Sequence, residues 1–255
     1  ARWITRIECS HFAEGTAYLT ISRHRNDDRQ PYVFKTTDYG ASWVSVVGNL
    51  PAEGPVHVIR ESSRNRDLLF AGTEFGLFVS LDGGKVWHRQ ANDLPTVPVH
   101  DLLIHPRDRE LVIGTHGRSV YVMDIAPLEE LTTAVRGLDL HLFEVKPAIA
   151  FRPRKADTTQ GRGYAAANPP FGMALYYYLK ASTEKPFELS ISDSSGKAIA
   201  ALPGKKEAGL HLFTWDLRPS GTRNVVKPGE YIVTLKLGER SLKRKVRVES
   251  ASSTE

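Results

Sequence analysis

One cysteine, Cys9, stands in a chain of 255 residues. An internal disulfide is excluded, and with it a disulfide-stapled scaffold. The count leaves the compartment open. Cys9 lies in an apolar–polar alternation and reads as a small buried residue. No apolar run approaches the ~18–20 residues of a membrane-spanning helix. No signal peptide opens the chain, since Ala1-Arg2-Trp3-Ile4 runs straight into a strand-like pattern. A start in mid-pattern without Met reads as a piece of a longer chain. His-x-x-x-His and Cys-x-x-Cys are both missing, so no metal site is expected. Gly161-Arg162-Gly163 lacks the strand–turn–helix setting of a phosphate loop, and no Gly-x-Ser-x-Gly elbow is present. No cofactor is expected. Charge of one sign is also lacking: 34 basic against 29 acidic residues, net +5, reads as a solvated mixed surface rather than a nucleic-acid face.

Turn formers are plentiful, with 20 Gly and 15 Pro, and hydrophobic residues make up 41% of the chain. That composition favours many short strands around a core. One pattern recurs. Thr36-Thr37-Asp38-Tyr39-Gly40-Ala41-Ser42-Trp43 fits Ser/Thr-x-Asp-x-Gly-x-Ser/Thr-Trp, and Ser80-Leu81-Asp82-Gly83-Gly84-Lys85-Val86-Trp87 departs from it only at Val86. A worn third copy, without Gly or Trp, reaches Asp124. The three aspartates follow one another at 44 and 42 positions. A period of roughly 40–50 residues suits one four-stranded propeller blade.

Strand-like runs fill that period. Ile4–Glu8, Ala17–Ile21, Tyr32–Lys35 and Trp43–Val47 make a first set. Val56–Arg60, Leu68–Gly72, Leu77–Ser80 and Val86–Arg89 make a second; Val99–Ile104, Leu111–Gly114 and Ser119–Val122 make most of a third. A closed propeller needs about four to eight blades. The remaining blades of a full-length chain are therefore an expected partner. Pro127 to Val135 has helical spacing and predicts one short capping helix. After it the repeat stops; Leu140–Val145 resumes a strand pattern, and Arg152 to Pro170 reads as a long loop. From Met173 onward, six or seven short strands separated by turns suit an immunoglobulin-like β-sandwich. The expected fold class is all-β: a partial β-propeller of about three blades, then the sandwich. The expected domains are 1–137 propeller with capping helix, 138–171 linker, and 172–250 sandwich. Within Tyr176-Tyr177-Tyr178, alternation sends Tyr177 to the core and its neighbours outward, or the reverse.

The chemistry of the repeated pattern is structural. Asp38 and Asp82 can accept backbone N–H bonds inside a turn, Gly40 and Gly84 permit positive φ, and Trp43 and Trp87 are apolar plugs. Strands alternate in direction, so these turns between the third and fourth strands mark one face. The turns between the second and third strands lie on the opposite face, where a ligand site is expected. Arg25, Asp27, Asp28 and Arg29, then Glu74 and Phe75, then His116 and Arg118 fall there, with Asn49, Asn92, Asp93 and Thr96 on the neighbouring connections. Glu74, His116, Arg118 and Arg29 are the ligand-binding candidates. No spacing selects a catalytic carboxylate pair among Asp27, Asp28, Glu74 and Asp93.

On these boxes, with Gly114-Thr115-His116-Gly117-Arg118-Ser119 and Leu202–Leu237, the chain resembles the C-terminal end of BNR/Asp-box propeller proteins of the sortilin-like, sialidase- and xyloglucanase-like group. Bacterial members labelled "glycosyl hydrolase, BNR repeat" typically end in an immunoglobulin-like module. The resemblance implies a secreted, periplasmic or envelope protein that binds a polysaccharide or peptide. A glycoside hydrolase sharing its site with further blades is the alternative. The catalytic residues of those enzymes have no matching motif in this chain.

Overall fold

The computed structural model describes residues 3–91, 94–150 and 171–250, and divides into two compact units between Val135 and Arg136. The first unit is built from antiparallel meanders. β1 (Trp3–Cys9), β2 (Ala17–Arg23), β3 (Asp28–Thr36) and β4 (Val44–Ser45) form one four-stranded sheet in chain order. β5 (Val56–Glu61), β6 (Leu69–Thr73), β7 (Gly76–Ser80) and β8 (His88–Gln90) form the next. β9 (Val99–His105), β10 (Glu110–Thr115) and β11 (Val120–Asp124) form a third, with three strands among the described residues. β6 and β7 are buried along their whole length, because the middle sheet has a neighbour on each face. Their apolar runs replace alternation for that reason.

Two equivalent turns join the third and fourth strands of the first two sheets. Thr36 Oγ1 donates to Asp38 Oδ1 (2.8 Å) and accepts from the Gly40 N–H (2.9 Å). Asp38 in turn accepts from the Ser42 N–H (2.9 Å) and the Ser42 hydroxyl (2.6 Å). Ser80, Asp82 and Gly84 repeat the arrangement at 2.8 and 2.9 Å, and Asp82 Oδ1 accepts from the N–H groups of Lys85 (3.1 Å) and Val86 (2.9 Å). Gly40 and Gly84 stand at φ +90° and +93°, which an L side chain rarely adopts. The third aspartate behaves differently. Gly72 pairs with Leu77, whereas Gly114 pairs with Val120, so the turn after β10 is one residue longer. Asp124 consequently falls one position short of the box position. It sits on β11, and its carboxylate accepts the Ala126 N–H (3.0 Å).

The single helix expected over Pro127–Val135 is two, α1 (Ala126–Glu130) and α2 (Thr133–Gly137). The Leu131 N–H bonds back to Pro127 and Leu128, and the Thr132 hydroxyl accepts the Val135 N–H (3.3 Å), restarting the helix.

Consecutive sheets are locked to one another. Buried Glu61 on the second sheet accepts from the Ser10 hydroxyl (2.8 Å), the His11 N–H (2.7 Å) and the Tyr18 hydroxyl (3.1 Å), all from the first. Burial, then the Glu61 charge and hydrogen bond, push the Tyr18 hydroxyl pKa well up. Asn49 was expected on the ligand rim. Instead its side-chain amide grips Trp87, accepting the Trp87 N–H (2.6 Å) and donating to the Trp87 carbonyl (3.0 Å). The Trp87 indole N–H reaches the Val46 carbonyl (3.1 Å). The first strands of all three sheets lie together: Arg60 bonds Glu8 (2.6 Å), the Leu102 carbonyl (2.6 Å) and Asp101 (3.4 Å), and Arg6 pairs with Asp101. Gly72 permits this approach, since a Cβ there would lie 2.6 Å from the Val99 carbonyl oxygen of β9.

The outermost faces of this stack are uncovered. Ile7 and Ile59 occupy the same register position in sheets one and two, yet Ile7 is 58% exposed and Ile59 0%. Trp43 is 39% exposed against 2% for Trp87. Cys9, expected to be buried, is exposed on the same sheet, where it lines a hollow with Ile7, Tyr39 and Trp43. On the far side, Val120 and Val122 are exposed where their counterparts Leu77 and Val79 are buried against the third sheet.

In the second unit, β12 (Leu140–Leu142), β14 (Met173–Leu179) and β17 (Gly209–Trp215) form one sheet. β13 (Ala148–Ala150), β19 (Arg240–Ser250), β18 (Gly229–Leu237), β15 (Phe187–Asp193) and β16 (Ala198–Leu202) form another, with β13 parallel to β19. Leu175, Tyr177 and Trp215 of the first share one core with Ile191, Val233 and Val246 of the second. Segment 138–171, expected to be a linker, supplies β12 and β13 to these sheets, because Leu140 and Leu142 alternate inward against Leu179 and Tyr177. The loop expected over Arg152–Pro170 lies outside the described residues. Tyr177 faces the core, and its hydroxyl donates to the Lys205 carbonyl (3.1 Å).

Candidate functional site

The turns after β6 and β10 sit on the face opposite the boxes, and the fold gives them the same anchor. The Glu74 N–H bonds to the Pro55 carbonyl (3.1 Å), and the His116 N–H bonds to the Pro98 carbonyl (2.9 Å). Glu74 and His116 are thus repeat equivalents held over the starts of β5 and β9. Each of those strands begins Pro-Val-His, at Pro55-Val56-His57 and Pro98-Val99-His100. The pairing skips both histidines. Val56 pairs with Thr73 and Val58 with Gly72; Val99 pairs with Thr115 and Asp101 with Gly114. Each histidine is the extra residue of a β-bulge, a device that re-aims a side chain.

The result is a cluster drawn from two sheets. His57 Nε2 lies 3.0 Å from Glu74 Oε2. The His100 ring stands 4.6 Å from the His57 ring and 5.1 Å from the His116 ring, centroid to centroid. His57 is half-buried, while His100 and His116 are exposed. Burial, then the neighbouring His57 and His116, lower the His100 pKa, and Glu74 acts the other way. The arrangement offers imidazole nitrogens and a carboxylate converging on one point, able to bind a polar group, hold a proton or ligate a cation.

Of the four candidates named from sequence, the fold sets Glu74 beside His57 and His116 beside His100, the two linked through the neighbouring His57 and His100 rings. Arg118 is exposed in the His116 turn. Arg29 is apart, on β3, lining a separate acidic hollow with Asp27, Asp28 and Glu53. Asp28 is occupied by Arg23 (2.8 Å) and by the Tyr32 hydroxyl (2.8 Å), which holds its pKa down. Asn92 and Asp93 lie outside the described residues. His57 and His100 escaped the sequence reading. The repeated Pro-Val-His tripeptide was the available signal.

No protein-family model matches the chain, and no curated protein is similar to it in sequence. Among solved structures it is similar to PorZ, described as a bacterial surface component of the type-IX secretion system of Porphyromonas gingivalis (13% identity, TM-score 0.38, 96% of this chain and 30% of that one). It is also similar to a GH74 xyloglucanase from Xanthomonas campestris (12%, TM-score 0.40, 94% and 42%) and to YCF48 from Cyanidioschyzon merolae (13%, TM-score 0.35, 96% and 71%). The chain spans less than half the length of the first two. At TM-scores below 0.5, these likenesses carry no argument about function.

Proposed function

We propose that this chain belongs to an extracytoplasmic Asp-box β-propeller, followed by an immunoglobulin-like sandwich, which binds a glycan or protein ligand on the face opposite the boxes. The observation that carries the reading is the convergence of Glu74 and His116, repeat-equivalent turn residues, with His57 and His100 on that face. Binding is favoured over hydrolysis because two of the candidate carboxylates already have partners, Glu74 with His57 and Asp28 with Arg23 and Tyr32. Further sheets of the same kind are the proposed partner of the two uncovered faces. Support comes from register: Ile7, Trp43, Val120 and Val122 stand uncovered at positions whose counterparts in the middle sheet, Ile59, Trp87, Leu77 and Val79, are buried.

The test uses glycan and peptide arrays probed with the 255-residue chain, beside polysaccharide-release assays. The double variant Glu74→Gln/His116→Ala should lose binding, and Lys85→Ala, on the box face, should retain it. Binding indifferent to the first variant, or absent from every array, sinks the reading. Release of product without the double variant's loss would move the site elsewhere.

A further inference from the structure

We propose that His57, Glu74 and His100 form a binding site for a divalent transition metal of the zinc class. One ligand atom from each lies within 4.8 Å of the others. Ligand atoms around a tetrahedral zinc stand about 3.3–3.5 Å apart, given bonds of about 2.0–2.1 Å. The 3.0 Å His57–Glu74 separation is already close to that spacing, and the His100 ligand atom lies within 4.8 Å of both.

The scaffold suits the task. Two ligands project from β-bulges on the first strands of two neighbouring sheets, and the third from a tight turn whose backbone is tied to Pro55. None depends on a long loop. Two imidazoles and a carboxylate suit zinc, copper or nickel better than calcium or magnesium, which prefer all-oxygen sets. Three protein ligands leave a fourth position open, as in sites that engage a water or a ligand oxygen. The His116 ring neighbours the proposed ligand His100 at 5.1 Å, centroid to centroid.

A plain ion pair is the competing account. It explains His57 and Glu74 but gives no role to His100. A metal uses all three in their neutral-imidazole, ionised-carboxylate forms. The proposal goes beyond the ligand-binding reading, since it needs only these three side chains and stands whether or not a glycan or peptide binds.

The experiment is a titration of the 255-residue chain with Zn²⁺ at pH 7.5 against a chromophoric chelator, repeated with Co²⁺ for its visible spectrum. One equivalent should bind. Co²⁺ should give the intense absorption of a four- or five-coordinate nitrogen–oxygen site. His100→Ala and Glu74→Gln, both at accessible positions, should each weaken binding about tenfold or more, with melting temperature unchanged in the absence of metal. A wild-type chain that takes no metal from the chelator overturns the proposal. So does undiminished affinity in His57→Ala/His100→Ala, which would place the ion on other histidines. An octahedral cobalt spectrum overturns it as well. Array binding measured with and without chelator separates this result from the functional reading, because metal can bind where no ligand does.

Discussion

Trp43 and Trp87 hold the same place in two nearly identical turns, and their surroundings differ. Trp87 is covered by the preceding sheet, which supplies the Val46 carbonyl for its indole and the Asn49 amide for its backbone. Trp43 has no such cover and lies half in solvent. Local sequence therefore builds the turn, while the neighbouring sheet decides what the tryptophan contributes. The same contrast runs down the first strands, from Ile7 to Ile59 and from Cys9 to Glu61. Repeats of this kind draw much of their stability from nearest-neighbour interfaces.

The sharpest way to break that contrast is truncation. Trp87→Ala should cost about 3–5 kcal/mol in urea unfolding, and Trp43→Ala about 1 kcal/mol. Equal losses would show that the turn, and not its cover, sets the value.

Glu61 and Cys9 come next. Glu61→Ala removes the acceptor of the buried Tyr18 hydroxyl and of the part-buried Ser10 hydroxyl and His11 N–H bonds, and should cost about 3 kcal/mol. Cys9→Ala, at the equivalent exposed position, should stay within about 0.5 kcal/mol. If Glu61→Ala were as mild, the lock between the sheets would be dispensable.

The smallest effect separates the aspartates. Asp82→Asn, in the covered turn, should lower stability by about 1–3 kcal/mol, and Asp38→Asn by less. The Ser42 side chain and backbone, with Thr36, pull the Asp38 carboxyl down to about 2. Its unfolded value is about 3.9. A depressed folded value means that the ionised form stabilises the fold. That contribution is present above about pH 4 and is lost as pH falls toward 2. Wild type and Asp38→Asn should therefore converge in stability over that window, and a gap that persists at pH 2 would contradict the assignment.

What could be read from the sequence follows the range of the interaction. The two turns were legible because Thr36, Asp38, Gly40 and Ser42 bond to one another within a few residues, so spacing alone encodes the geometry. The short strands were legible from their apolar runs. The third aspartate misled because one extra residue in the His116 turn shifts β11 by a position, and spacing in sequence cannot register that. Cys9 and Asn49 misled because their surroundings depend on which sheet lies alongside. His57 and His100 belong to different sheets and meet only after the first strands pack. Their shared Pro-Val-His start was visible, but the bulges that turn both rings toward Glu74 were not.

Asn49 has one more consequence. Its side-chain amide bonds to Trp87 through both its donor and its acceptor, across 38 positions of chain. In effect it adds a rung, made from a side chain, to the edge of a sheet that has not yet been synthesised when Asn49 itself is. Until the chain has reached Trp87 the Asn49 amide can bond only to water, so this contact needs most of the next repeat to be present. Between these two sheets, then, the edge of the later one is completed by the connection that leaves the earlier one.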